Sequence, residues 1–133
     1  MLFRRKPREA FGLPAFWQGV TGALKDGETF LDGARREVRE ETGLHSMDIL
    51  FTGFVAKYPI RPAWRIHFGE GPQHVEEHAA CGEVAADVEP TLSEEHSDWG
   101  WFTAERAAEL LATGHNLESF QSVLGKLILP GSR

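Results

Sequence analysis

The sequence predicts an α/β sandwich, and three observations carry that expectation. Short strand-like segments run through most of the chain, one capped amphipathic helix interrupts them near Thr29–Thr42, and two more helices follow Thr103. The 133 residues, 41% hydrophobic and 26% charged, suit a single domain over 1–133. A chain of this length buries about two-thirds of its unfolded surface, so it needs no disulfide or metal staple. Cys81 is the single cysteine and has no internal disulfide partner. The apolar runs are too short to span a bilayer, and Met1–Lys6 lacks the apolar stretch of a signal peptide. The expectation is a soluble, cytoplasmic protein.

The elements follow in order. Met1–Phe3 reads as a strand remnant that leads into the basic group Arg4, Arg5, Lys6 and Arg8. Phe11–Pro14 reads as a loop, and Phe16–Leu24 as a short strand ending in a turn. The helix over 29–42 has Thr29 as N-cap, with Asp32 completing a weak capping box. Phe30, Leu31, Ala34 and Val38 form its apolar stripe, and Gly43 stops it. Gly33 within it costs roughly 1 kcal/mol against Ala, which predicts close packing of another element at that point. Met47–Tyr58, Arg65–Phe68, Ala79–Val88 and Trp99–Phe102 read as strands, with a polar connection over 69–78. Thr103 caps a helix through Leu111, and Asn116 caps another to about Leu129.

Fourteen Lys and Arg against 20 Asp and Glu leave a net charge of −6. That balance argues against a sequence-independent nucleic-acid binder, which needs many cations for phosphates. It also repels a free polyphosphate, so the placement of the acids decides more than their number. Glu37, Glu40 and Glu41 stand at i, i+3 and i+4, which puts three carboxylates on one helical face. A solvated charged face is the ordinary account of such a cluster taken alone. A hard divalent cation is the other, and Mg²⁺ commonly takes its remaining ligands from water and substrate phosphates.

The full stretch over 22–44 selects between them. It follows Gly22-x5-Glu28-x7-Arg36-Glu37-Val38-x-Glu40-Glu41-x-Gly43-Leu44, which resembles the Nudix box without substitution. The resemblance implies a Nudix α/β/α sandwich with a mixed sheet and a hydrolase that uses Mg²⁺ or Mn²⁺. It carries metal-ligand roles to Glu37, Glu40 and Glu41, with the Thr21 carbonyl as a further ligand. Glu28 and Arg36 match a structural ion pair that orients the catalytic helix. Gly22 and Gly43 match turn positions that suit positive φ. The implied reaction is attack of water on a phosphorus, with metal ions polarising the phosphoryl oxygens.

The flanks resemble the dihydroneopterin triphosphate pyrophosphohydrolases of bacterial folate synthesis. Phe16-Trp17-Gln18 through Thr21-Gly22 is similar to that group's entry to the box, and Glu95-His96 with Trp101-Phe102 to its C-terminal third. Between Ala56 and Val88 the resemblance is vague. Glu95 matches a position that supplies an extra metal ligand or a general base, against the reading of a surface glutamate beside Glu94. His96 reads as a polar turn residue before a base. Trp17 either stacks on a pterin or purine or is a core tryptophan. Gln18 either reads a base edge or bonds to backbone. Arg4 and Arg5, with Lys6 and Arg8, either meet the triphosphate or form a solvated run. His67, His74 and His78 are too loosely spaced and loop-bound for a zinc site.

The expected substrate is a small nucleoside or pterin triphosphate, cleaved to a monophosphate and pyrophosphate. The competing readings are hydrolysis of normal or oxidised dNTPs or of dinucleoside polyphosphates, and a non-catalytic Nudix-fold regulatory domain. Neither a nucleic acid nor a membrane is expected as partner. Against the family pattern an N-terminal strand is missing before Met1–Lys6, which predicts an open sheet edge and, through it, a homodimer or strand exchange.

Overall fold

Leu2–Arg5 (β1) lies between two antiparallel neighbours, Phe16–Gln18 (β2) and His96–Gly100 (β5), in the order β2-β1-β5. The computed structural model describes residues 1–45, 47–60, 62, 69–71, 74–112 and 116–128. Because β1 is central, the open edge expected along it is not there: β2 and β5 form the edges of this ladder.

A second antiparallel ladder pairs Ile49–Pro59 (β3) with His74–Gly82 (β4). All strand pairs among the described residues are thus antiparallel, in two ladders of three and two strands. β4 begins and ends earlier than the expected 79–88, and takes up part of the polar stretch read as a connection. The reason is pairing: β3 continues to Pro59, and His74 and Glu76 can join its ladder while facing water. After Gly82 the chain turns, with the Val88 N–H bonded to the Ala85 carbonyl at 3.1 Å. The strand expected at 65–68 and the candidate His67 lie outside the described residues. His74 and His78 stand on a strand rather than a loop.

Three helices complete the α/β architecture: Phe30–Thr42 (α1), Ala104–Leu111 (α2) and Leu117–Ile128 (α3). The α1 capping box is closed on both sides. Asp32 N–H donates to Thr29 Oγ1 at 3.1 Å, and Thr29 N–H to Asp32 Oδ2 at 3.4 Å. Gly43 ends the helix at φ 72°, the left-handed conformation that glycine adopts without a Cβ penalty. At Gly33 a Cβ would lie 2.2 Å from Leu24 Cδ2, so the close packing predicted there is the loop before the helix.

α3 packs on β3 and β4, where Thr52 Oγ1 and Ser122 Oγ lie 2.9 Å apart, and α2 packs on α3 and β2. Leu2, Ala107 and Leu111 are the buried centre of this side, surrounded by Trp17, Phe102, Leu110, Leu117 and Phe120. Side chains alternate across a strand, so Leu2, Arg4 and Trp17 share the face toward α2. Phe3, Arg5 and Gln18 share the other face. A bulge between Arg4 and Arg5 brings His96 opposite Arg5, on that second face.

Candidate active site

Arg36 organises the first half of the site. Its Nε donates to Glu28 Oε2 at 2.7 Å and its Nη2 to Glu28 Oε1 at 2.9 Å, a fork-to-fork pair. The same Nη2 reaches the Ala23 carbonyl at 2.8 Å, which ties helix to preceding loop. Nη1 donates to Glu37 Oε1 at 2.8 Å and to Glu40 Oε2 at 3.2 Å. Lys25 N–H adds a bond to Glu28 Oε1 at 2.7 Å. The guanidinium, then this N–H, hold the Glu28 carboxyl down at about 2.

Glu41 has the opposite environment. It is 6% exposed, and its Oε2 has no hydrogen-bond partner. Burial, then the charges of Glu37 and Glu95, then contact with the Glu95 carboxyl push it up to about 8, against a backbone bond from Thr21. Three carboxylates from two distant segments therefore act on one another, beside the backbone of Thr21. Gly22 makes room for them: a Cβ there would lie 2.0 Å from Glu37 Cδ and 2.5 Å from its Cγ. Its φ is not in the left-handed region, so close approach, rather than the expected positive φ, is what requires glycine at this position.

A NUDIX domain model matches residues 1–122. The chain belongs to the Nudix family. Among proteins similar to this Nudix hydrolase is the dihydroneopterin triphosphate diphosphatase of Haemophilus influenzae, 32% identical over 86% of this chain and 74% of that protein. The solved structure of the Escherichia coli dihydroneopterin triphosphate pyrophosphohydrolase superposes with a TM-score of 0.70 at 25% identity, over 90% of this chain and 82% of that one. A Nudix hydrolase structure from Listeria monocytogenes superposes with a TM-score of 0.75 at 26% identity, over 95% of this chain and 81% of that one.

Divalent ions generally serve Nudix hydrolases, and the donors present here fit one. Glu41 presents a buried oxygen without a protein partner, and the surrounding donors are hard carboxylate oxygens. Among the described residues no three His, Cys, Asp or Glu side chains are already gathered to hold an ion. Arg36 accounts for this, since it draws Glu37 and Glu40 onto its own guanidinium.

The remaining candidates separate. Glu95, half-exposed, is brought against Glu41 and lies 3.4 Å from Arg5 Nη1. Arg5 and Arg4 point to opposite faces of β1, and Arg4 pairs with Asp98 at 3.8 Å, so the two do not form one anion site. Trp17 meets Phe102 edge-on at 5.1 Å, within the apolar cluster under α2. Gln18 is 4% exposed, and its Nε2 lies 3.1 Å from His96 Nε2. The Gln18 amide is therefore spent on an internal partner. His96 is 3% exposed, which corrects its reading as a turn residue, and burial pushes its pKa down. Asn116 Oδ1 accepts the Gly19 N–H at 3.1 Å and so ties the end of β2 to the start of α3. Sequence reasoning did not single out Ser93. The signal was available as a hydroxyl two residues before Glu95, the spacing of a side-chain-to-backbone turn.

Proposed function

We propose that this Nudix hydrolase is a Mg²⁺- or Mn²⁺-dependent pyrophosphohydrolase of a small nucleoside or pterin triphosphate, releasing a monophosphate and pyrophosphate. The observation that carries the reading is the meeting of Glu95 with Glu41, whose Oε2 is buried without a protein partner. Two carboxylates so placed are both ionised only at a cost, which a bound cation would offset and which otherwise keeps the proton on Glu41. The names of the Haemophilus and Escherichia relatives support dihydroneopterin triphosphate, or a close analogue, as the substrate.

Glu37, Glu40, Glu41 and Glu95 would hold the ion with the Thr21 carbonyl. When bound, the ion polarises phosphoryl oxygens and lowers the pKa of the attacking water. The chain's own groups prepare that chemistry. Glu28 fixes the Arg36 guanidinium, and Arg36 in turn orients Glu37 and Glu40 while binding the box loop through Ala23. Gly22 leaves the Glu37 carboxylate its place. No helix among the described residues is long and apolar enough to cross a membrane, and the net charge of −6 disfavours nucleic acid, so a small molecule is the expected partner.

The test is a substrate panel with Mg²⁺ present: dihydroneopterin triphosphate, normal and oxidised dNTPs, and diadenosine polyphosphates, with pyrophosphate and phosphate release measured separately. Dihydroneopterin triphosphate turned over fastest, with pyrophosphate released, is the expected result. Uniformly low rates would refute the substrate class, and no turnover at all would return the protein to the regulatory reading. Glu40→Gln and Glu95→Gln should each lose Mg²⁺-dependent activity and bind Mn²⁺ more weakly while staying folded.

A further inference from the structure

Glu95 stands at a turn with its side chain about half-exposed, at 51%. Its Oε2 is held by Arg5 Nη1 at 3.4 Å, and where the side chain starts from is set by how the backbone of the turn is held. Here both backbone polar groups are bound. The Glu95 N–H donates to Ser93 Oγ at 3.3 Å, and its carbonyl accepts the Lys6 N–H at 2.9 Å. Ser93 in turn is tied to the interior: His96 Nδ1 lies 3.4 Å from Ser93 Oγ, and the His96 N–H donates to the Ser93 carbonyl at 3.2 Å.

The direction of this chain follows from donor and acceptor chemistry. The Gln18 amide nitrogen only donates, so His96 Nε2 must accept at 3.1 Å. The neutral ring then carries its proton on Nδ1 and donates it to Ser93 Oγ. Ser93 Oγ thus accepts from the imidazole on one side and from the Glu95 backbone on the other. Gln18 and His96 are 4% and 3% exposed, so the inner end of the chain is in the protein interior. The bulge in β5 is what turns His96 to the face that carries Gln18.

We propose that Gln18, His96 and Ser93 are positioning residues, a hydrogen-bonded strut from the core that sets the place of Glu95. The inference rests on the role proposed above for Glu95 as a metal ligand. It gives Gln18 a task different from reading a substrate edge, and gives His96 one that needs no contact with substrate.

The experiment uses the full chain and reads Mn²⁺ affinity by the EPR signal of free Mn²⁺, alongside kcat/KM and Tm. Ser93→Ala should weaken Mn²⁺ binding and lower kcat/KM, each about tenfold, the lower end of the range seen when groups that orient metal ligands are removed. Ser93→Thr, which keeps the hydroxyl, should restore both. Gln18→Met should act in the same direction, with an added loss of Tm from the unpaired imidazole nitrogen.

The deciding measurement is Ser93→Ala in a Glu95→Gln background. If the strut acts through Glu95, it should have little further effect on Mn²⁺ affinity there. Additive losses would overturn the strut while leaving Glu95 a ligand, as would a full-strength Ser93→Ala variant beside a weakened Glu95→Gln. Unchanged Mn²⁺ affinity in Glu95→Gln alone would overturn the ligand role, and the strut with it.

Discussion

Replacing Gly22 by alanine isolates the placement of one carboxylate. The added Cβ would stand 2.0 Å from Glu37 Cδ, 2.3 Å from Oε1 and 2.5 Å from Cγ, where ordinary contact begins at 3.4 Å. The shortfall at Cδ is 3.4 − 2.0 = 1.4 Å, so the carboxylate must swing by more than an ångström and leave Arg36 Nη1, now at 2.8 Å. A misplacement of about 1 Å can cost ~10²-fold in rate, equivalent to ~2.7 kcal/mol of activation free energy. Stability should move far less. The Gly22 backbone is open to an L-residue, and alanine there restricts the unfolded chain, a gain of about 0.4–1 kcal/mol that offsets the lost ion pair. The assay is kcat/KM for pyrophosphate release at saturating Mg²⁺, with Tm in parallel. Gly19→Ala is the control, because a Cβ at Gly19 meets nothing within 4 Å. A Gly22→Ala enzyme as active as the control would refute the argument that Gly22 reserves the place of Glu37.

Other perturbations read different parts of the molecule. Glu41 has its carboxyl raised from 4.5 to about 8, so its contribution is fully present below pH 4.5 and lost as pH rises through 8. Without divalent ions, Glu41→Gln should therefore gain Tm relative to the parent from pH 5 to 9, while its Mg²⁺-dependent turnover is lost; a pH-independent Tm difference would contradict the buried-carboxyl account. Glu28 is the converse case, with its carboxyl lowered from 4.5 to about 2. Its stabilisation is present above pH 4.5 and lost as pH falls through 2, so the Tm deficit of Glu28→Gln should shrink on acidification over that window. Leu111 is 1% exposed at the centre of the α2 side. Leu111→Ala should lose about 2–5 kcal/mol in denaturant unfolding with near-normal kcat in the folded fraction, and a loss under about 1 kcal/mol would show a site that collapses without a cavity.

Much of the candidate site was legible because its signals are local. Thr29, Asp32 and Gly43 delimit α1 through caps formed within a turn or two of the chain. The i, i+3, i+4 placement of Glu37, Glu40 and Glu41 is a property of helical geometry alone. Strand limits were less legible. The polar start of β4 has no strand pattern of its own and is extended because β3 offers partners as far as Pro59. Trp17 and Gln18 were ambiguous for a related reason: adjacent residues on a strand face opposite sides, and what lies on each side is set by other segments.

The sequence by itself thus determined the family, the helix α1 and the acidic face proposed to take a divalent ion. Only the tertiary structure decided that Glu95 meets Glu41, that Arg4 and Arg5 part to opposite faces, and that Gln18 is bound to His96. It also set aside the open edge expected at the first strand, since β2 and β5 close on β1 from both sides. The physical reason is common to all of these. They depend on strand pairing and on a bulge that joins segments from the two ends of the chain, and no local pattern encodes the register at which such segments meet.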